Sequence, residues 1–194
     1  MNGGIGPVAG TTPYPWPWDG GCSGERLALV VAGWDDGWRG RAAASTIGPA
    51  DDATEALMAG VAAAGGLIVT VGHTPAPRSG GAPPTSVPGR IAAAGIDGFH
   101  GSGLDAVLRA AGATHLLVAG HGLEGPVHST LRSANDRGYE CLLVIDACSP
   151  LEPDLAGAAR SMVEMSGGIF GAVGATADVL AALVAAPAPT PVTT

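Results

Sequence analysis

Histidine and carboxylate residues cluster in the stretch AGHGLEGPVHST, residues 119–130, which follows an apolar run. His121 and Glu124 are three residues apart, and His128 is four residues beyond Glu124. Such side chains can form acid/base pairs or contribute metal ligands. Structural roles compete with this chemistry, because Glu124 also suits the first turn of a helix. Pro126 suits a first helical position but has no reactive group.

Further polar residues follow other apolar runs of the chain. Asp35 and Asp36 come after the run LVVAG, where one of them could act as an acid or base. A solvated turn or a helix cap is the more common role of such residues. His73 ends the run LIVTVGH. Asp97 and His100 flank Phe99, and all three could border the same ligand pocket as the residues above.

The cysteines Cys22, Cys141 and Cys148 do not have the spacing of a metal site. Cys148, in DACSP, is the thiol nearest to an expected carboxyl end of a strand. We expect it to pack in the core, as most free cysteines do. A displaced nucleophile is the alternative. We predict neither a resident metal nor a cofactor.

The composition argues against several classes of function. All nine basic residues are arginines, so no mechanism that needs a lysine ammonium can operate within this chain. A formal net charge of -8 repels phosphate backbones, which argues against nucleic acid as a partner. The 194 residues are enough for one domain with a sizeable core.

The start of the chain, MNGGIGPVAGTTPYPWPWDG, has neither the basic start nor the apolar core of a signal peptide. The longest apolar stretches, GLIVTVG and VLAALVAA, are shorter than the ~20 residues that a membrane helix requires. We therefore expect a cytoplasmic protein without membrane contact.

Apolar runs alternate with helical patterns along the chain. The predicted strands are residues 27–33, 67–72, 90–93, 114–120, 141–146 and 169–173. The predicted helices are residues 51–66, 102–112, 126–138, 153–168 and 176–186. Ser102 with Asp105 resembles a capping box, and Thr176 is the expected cap of the last helix.

Strands separated by single helices predict a parallel sheet with right-handed crossovers, covered by helices on both faces. The predicted fold is a three-layer α/β/α sandwich with a six-stranded, Rossmann-like parallel sheet. We expect an extended N-terminal arm over residues 1–24, the α/β domain over 25–186 and a tail over 187–194. In such sheets ligands bind beyond the carboxyl ends of the strands.

Four segments, in this order, resemble the cysteine hydrolase, or isochorismatase-like, superfamily, and most of all its ureide-cleaving members such as biuret hydrolase. They are YPWPWDG, GFHGSGLDAVLRAAGATHLLVAG, VHSTLRSANDRGYECLLVIDAC and SMVEMSGGIFGAV. The resemblance covers residues 13–183. It implies C–N hydrolysis in which a Cys thiolate attacks the carbon, an Asp transfers protons and a Lys holds both groups. Backbone N–H groups then bind the oxyanion.

The positions that the resemblance assigns to this triad hold Gly33, Ala93 and Pro126 in place of the acid, the lysine and the cysteine. Sliding the alignment cannot restore the set in a chain without lysine. We therefore expect the family mechanism to be absent. The relatives also carry a longer stretch after His73, where this chain has a Pro/Gly/Ser-rich loop over residues 77–89. We expect a poorly covered pocket.

Two functions remain. The favoured one is a catalytically degenerate pseudoenzyme, a structural or regulatory subunit that assembles with itself or with an active cysteine hydrolase homologue, because folds outlive functions. The alternative is a hydrolase of a small amide, ureide or related carbonyl compound with a rebuilt site. Its candidate residues are His121, Glu124, His128, Asp35 and Asp36.

An oligomer is expected from two apolar segments. The aromatic arm YPWPWDGG either clamps a neighbouring subunit or packs on its own core. The segment 161–186 has apolar faces that are larger than one sheet edge can cover.

Overall fold

Parallel strands form the central sheet of the protein in a computed structural model, which describes residues 4–73 and 90–185. The strands of the described residues are β1 Gly4–Ile5, β2 Cys22–Ser23, β3 Leu27–Ala32, β4 Leu67–His73, β5 Arg90–Ala93, β6 His115–His121, β7 Glu140–Ser149 and β8 Ala172–Gly174. The last six form the sheet in the order β5-β4-β3-β6-β7-β8, all parallel. β1 and β2 form a separate antiparallel pair.

Helices follow most strands of the sheet. They are α1 Asp36–Arg39, α2 Ala44–Ala63, α3 Leu104–Ala110, α4 His128–Asp136, α5 Ala156–Gly168 and α6 Thr176–Ala185. Two 3-10 turns span Gly24–Arg26 and Pro153–Leu155, and a π-helical turn spans Leu123–Val127. The predicted α/β class with a six-stranded parallel sheet is confirmed.

Burial explains why β3 and β6 lie at the centre. Every residue of β3, LALVVA, and of β6, HLLVAGH, is buried. Continuous apolar runs are typical of parallel strands that are covered on both faces. The chain runs outward from β3 through β4 to β5 and then crosses to β6 on the other side of β3. The strand order therefore reverses between β3 and β6, and a crevice at their carboxyl ends is expected there.

Helix α2 begins earlier than predicted, at Ala44 rather than at residue 51. Pro49 lies inside the helix and is exposed. The buried residues of helix α2 are Ala50, Thr54, Leu57 and Val61, at the spacing of one helical face. The helix ends at Ala63, just before the glycines of the predicted stop.

The capping box predicted at α3 is wrong. Ser102 does accept a hydrogen bond from the Leu104 amide (3.2 Å), but the Asp105 carboxylate accepts the Tyr139 hydroxyl (2.8 Å) instead of reaching back to the helix start. At α6, Asp146 Oδ1 accepts both the amide and the hydroxyl of Thr176 (2.8 and 2.9 Å). A residue distant in sequence therefore binds the start of α6.

Three other boundaries differ from the prediction. Pro126 lies in the π-helical turn rather than at the start of a regular helix, and α4 begins at His128. The segment 165–167 has non-helical backbone within α5, and β8 begins at Ala172 rather than at residue 169. These elements are short, so local pattern alone placed their ends poorly.

The N-terminal segment packs on its own chain. Ile5, Val8 and Trp16 are buried, and Thr12 bridges to Val173 of β8. Two roles were considered for the aromatic arm, and Trp16 has the second of them, which is packing on its own core. Trp18 instead remains exposed. The loop 77–89 and the tail 187–194 lie outside the described residues.

Within residues 4–73 and 90–185, no helix combines the length and the apolar character that crossing a membrane requires.

Replacement of Trp16 with Ala should lower the free energy of unfolding by about 3–5 kcal/mol, since the side chain is 1% exposed and its loss leaves a large cavity. Trp18→Ala is the matched control, because Trp18 is 74% exposed and should cost less than about 0.5 kcal/mol. Urea denaturation of both variants measures the difference. Equal costs would contradict the packing of the arm on its own core.

Candidate functional site

A cavity of about 400 Å³ opens at the carboxyl ends of β3 and β6, where the strand order reverses. Described residues that line it are Trp34, Asp35, Asp36, Arg39, Asp51, Glu55, Arg90 and His121. Its size is that of a small-molecule site. Among these residues, four carboxylates face two guanidinium groups, so the lining favours a polar ligand that is neutral or cationic.

His121 ends β6 and is almost fully buried. Its Nδ1 lies 2.7 Å from the Ser149 hydroxyl, and its Nε2 lies 3.2 Å from Asp51 Oδ1. The indole of Trp34 stacks on the imidazole, with ring centroids 5.0 Å apart and planes within 5°. Burial lowers the pKa of His121 and outweighs the opposing effect of the Asp51 carboxylate. The imidazole is therefore neutral at neutral pH.

Asp51 faces His121 from α2 and forms an ion pair with Arg39. The contact between Asp51 Oδ1 and His121 Nε2 lacks the alignment of a hydrogen bond. Neither atom has a hydrogen-bond partner among the described residues. Both atoms are buried from solvent, and each has the other as a close polar neighbour.

Asp51, His121 and Ser149 form a row that resembles a hydrolase triad in composition. Ser149 is fully buried, and its hydroxyl contacts the imidazole on the side away from Asp51. A nucleophile must reach the substrate carbon, and this hydroxyl is covered. Ser149 therefore orients the imidazole, and His121 and Asp51 are the members of the row that line the cavity.

Gly33 directly follows β3, at the position that the resemblance assigns to the acid. Its φ is +63°, in the left-handed region, and an added Cβ atom would lie 2.2 Å from the carbonyl oxygen of His121. Both the backbone conformation and the close approach therefore require glycine. An aspartate does not fit at this position without movement of the backbone.

The Trp38 side chain packs against the same turn and against the turn after β6. A Cβ atom at Gly33 would lie 3.4 Å from Trp38 Cβ, and one at Gly122 would lie 3.2 Å from Trp38 Cε3. One at Gly125 would lie 3.6 Å from Trp38 Cζ3. The Arg41 guanidinium covers the indole at 4.6 Å. The Trp38 side chain therefore lies beside both turns, with its Cβ near Gly33 and its indole near Gly122 and Gly125.

The other two triad positions are also closed. Pro126 is buried in the π-helical turn, and its Cδ would lie 2.8 Å from a Cβ atom at Gly122. Ala93 ends β5, pairs with His73 and is fully buried. Neither residue lines the cavity that contains His121.

Two of the predicted carboxylates have structural partners. Asp35 caps α1 by accepting a hydrogen bond from the Trp38 amide (2.9 Å), as the helix-cap interpretation expected. Glu124 accepts the amides of Leu151 (2.8 Å) and Glu152 (3.0 Å), so it holds the segment after β7. The carboxylate of Asp36 lines the cavity.

The remaining candidates do not join His121. His128 is buried at the start of α4, and burial, aided by Arg132, lowers its pKa. Phe99 is buried against Tyr139, with ring centroids 6.2 Å apart. His73 ends β4, and β3 separates this strand from the strand of His121. The structure describes the backbone of His73 but not its side chain. His100 is exposed, and Asp97 accepts hydrogen bonds from the Phe99 amide and the Ser133 hydroxyl.

All three cysteines of the chain are buried and free. Burial raises the pKa of both Cys141 and Cys148, so neither is a thiolate at neutral pH. The Cys148 thiol donates to the Val144 carbonyl (3.2 Å) within β7. The packing role expected for Cys148 agrees with this environment.

Sequence reasoning missed Asp51, Arg39 and Trp34. Asp51 was detectable, because it directly follows Ala50 and precedes Thr54 by three residues, at the edge of the buried face of α2. A carboxylate beside a buried stripe usually has a partner. Trp34 and Arg39 gave no comparable signal, since their positions depend on the path of the chain after β3.

Comparisons with known proteins agree with this architecture. The model of the Isochorismatase domain family matches residues 28–178. An isochorismatase family protein from Burkholderia thailandensis is similar in structure, with a TM-score of 0.69, 23% identity and coverage of 82% of this chain and 96% of that chain. A cysteine hydrolase from Pseudomonas syringae has a TM-score of 0.67 and 18% identity, and the match covers 84% and 95% of the two chains. A nicotinamidase from Staphylococcus aureus has a TM-score of 0.61 and 16% identity, with coverage of 77% and 98%.

Replacement of Gly33 with Ala should be more destabilising than the same change at Gly112. Gly112 also has a positive φ (+72°), but an added Cβ atom there meets nothing within 4 Å. Gly112→Ala should therefore cost roughly 1–2 kcal/mol from the backbone conformation alone. Gly33→Ala should cost about 1–3 kcal/mol more, because the methyl group meets the His121 carbonyl. Equal losses of stability in chemical denaturation would show that Gly33 has room for a side chain.

Proposed function

The chain belongs to the Isochorismatase domain family, and on that premise we propose that it is a catalytically degenerate member that serves as a structural or regulatory subunit of an assembly. Within this proposal, the partner is a second copy of the chain or an active cysteine hydrolase homologue. The family fold is retained, and the thiol chemistry is lost.

The packing of Trp38 is the observation that carries this proposal. The side chain lies beside both the turn of Gly33 and the turn of Pro126, in the space next to the positions where the resemblance places acid and nucleophile. A substrate carbonyl would have to enter that space to react with groups at these positions. None of the three cysteines offers a replacement, since each is buried.

Exposed apolar side chains support the assembly role. Leu155, Met162, Met165 and Ile169 are all exposed along α5 and its flanking residues. Leu155 and Met162 are seven residues apart, which is about two helical turns, so they lie on the same side. Exposed apolar side chains that lie on one side of a helix are commonly covered by a protein partner.

The cavity beside His121 favours a second candidate, a hydrolase with a rebuilt site. Asp51 and the neutral imidazole could together activate a water molecule by general base catalysis, with Arg39 or Arg90 close to the developing charge. This candidate needs no thiol. It keeps His121 from the predicted set and replaces Glu124 and His128 with Asp51. A small amide or ureide remains the class of substrate for this alternative.

The purified protein should show no hydrolysis of biuret, N-carbamoyl compounds or simple amides above background, because no reactive thiol is available. Ammonia release measures this directly. Turnover that survives Cys141→Ser/Cys148→Ser but is lost in Asp51→Asn and His121→Asn would overturn the main proposal in favour of the rebuilt site. Asp52→Asn is the matched control, since Asp52 is adjacent to Asp51 and exposed. Turnover lost with Cys148→Ser alone would identify a displaced nucleophile.

The native chain should be a stable dimer or larger assembly at micromolar concentration in light scattering, alone or with a co-expressed active homologue. Met162→Glu/Ile169→Glu should dissociate it, because charges in an apolar interface are unfavourable when unpaired. Val107→Glu is the control, because it changes an exposed apolar residue of α3. A monomer under all these conditions would remove the assembly role.

A further inference from the structure

A second group of polar side chains lies at the opposite edge of the sheet from the cavity. His115 begins β6, Glu140 begins β7, and Asp19 belongs to the N-terminal segment that packs beneath them. His115 pairs with Glu140 in the register of the two strands. Amino ends of parallel strands meet at one edge, so the sheet itself brings these two residues together.

The distances within this group are those of ligands around one ion. His115 Nε2 lies 3.1 Å from Glu140 Oε2 and 3.7 Å from Asp19 Oδ1, and the three ligand atoms all lie within 4.8 Å of one another. Ligand atoms bound to a tetrahedral zinc ion at about 2.1 Å are roughly 3.4 Å apart. The observed separations bracket that value.

His115 is the independent indication of a ligand. It is 5% exposed, and its Nε2 has no hydrogen-bond partner among the described residues although it faces both carboxylates. On its other side, Nδ1 lies 2.8 Å from the Thr114 hydroxyl. When Nδ1 donates to that oxygen, Nε2 carries a lone pair and lies 3.1 Å from Glu140 Oε2 and 3.7 Å from Asp19 Oδ1. A hydrogen bond to the non-ligating nitrogen is typical of metal-bound histidines.

Neighbouring groups fix the ring and the carboxylates. Trp16 contacts the imidazole edge-on, with centroids 5.8 Å apart and planes at 78°. The Trp18 amide donates to Glu140 Oε1, which leaves Oε2 directed at His115. The Gly21 amide lies 3.5 Å from Asp19 Oδ1. The side chains are therefore oriented by contacts outside the group, as in built metal sites.

We propose that Asp19, His115 and Glu140 bind a divalent transition-metal ion, best matched by zinc, which fastens the N-terminal segment to the amino edge of the sheet. One imidazole nitrogen and two carboxylate oxygens are ligands that zinc accepts, and their combined charge neutralises the ion. An ion that binds only the folded chain stabilises it.

A protonated His115 in an ion pair with Glu140 is the rival account of the same geometry. Burial by itself lowers the pKa of His115, but the neighbouring Cys22 and Glu140 side chains outweigh it and raise the pKa to about 9. That account predicts no role for Asp19 beyond surface charge and no metal affinity. Metal binding by the native chain therefore separates the two.

The test uses the untagged, full-length protein after treatment with EDTA and desalting. We expect calorimetric titration with Zn²⁺ to show one saturable site, and Zn²⁺ to raise the melting temperature. Asp19→Asn and His115→Gln should each weaken binding at least about tenfold. Asp154→Asn and His100→Gln are the controls, because both residues are exposed and neither belongs to the proposed site. Both variants should bind Zn²⁺ as the native chain does.

Asp19→Asn keeps the test decisive even if His115→Gln does not fold, because the Asp19 side chain is 64% exposed and its replacement should leave the fold intact. Co²⁺ gives a second signal, since a site with nitrogen and oxygen ligands should produce a visible absorption band that Asp19→Asn diminishes. Absence of saturable Zn²⁺ binding, or binding that Asp19→Asn leaves unchanged, would overturn the proposal.

Discussion

The packing of the Trp38 indole against the turns after β3 and β6 determines what the carboxyl edge of the sheet can do. Gly33 allows β3 to approach the carbonyl of His121, and Gly122 allows the indole to lie against the second turn. Each glycine removes a side chain that would compete for the same space. The crevice therefore remains, with the Trp38 side chain packed beside these two turns.

The polar groups that could take part in chemistry lie on one side of this crevice. Asp51 and His121 lie in the open part of the crevice, where the β3–β6 reversal leaves a cavity and burial keeps the imidazole neutral. At the amino edge of the same strand, His115 faces Glu140 and Asp19. β6 thus presents a histidine at each end, one toward a polar cavity and one toward the N-terminal segment.

The α/β class and the parallel sheet follow from apolar runs that alternate with helical patterns. Helix ends were less predictable, because Asp146 binds the start of α6 from 30 residues away and Tyr139 draws Asp105 from the start of α3. His121 was identified because it ends an apolar run. Its partner Asp51 was missed, although its place at the edge of the buried face of α2 was a signal of a partner.

The central claim is that the folded chain offers no reactive thiol for covalent hydrolysis. Intact-mass spectrometry after treatment with iodoacetamide at neutral pH tests it most directly, with the guanidinium-denatured protein as the control for all three cysteines. We expect the folded protein to remain unmodified while the denatured protein gains three adducts, because burial shields every thiol and keeps Cys141 and Cys148 protonated. Rapid formation of a single adduct on the folded protein would contradict the account.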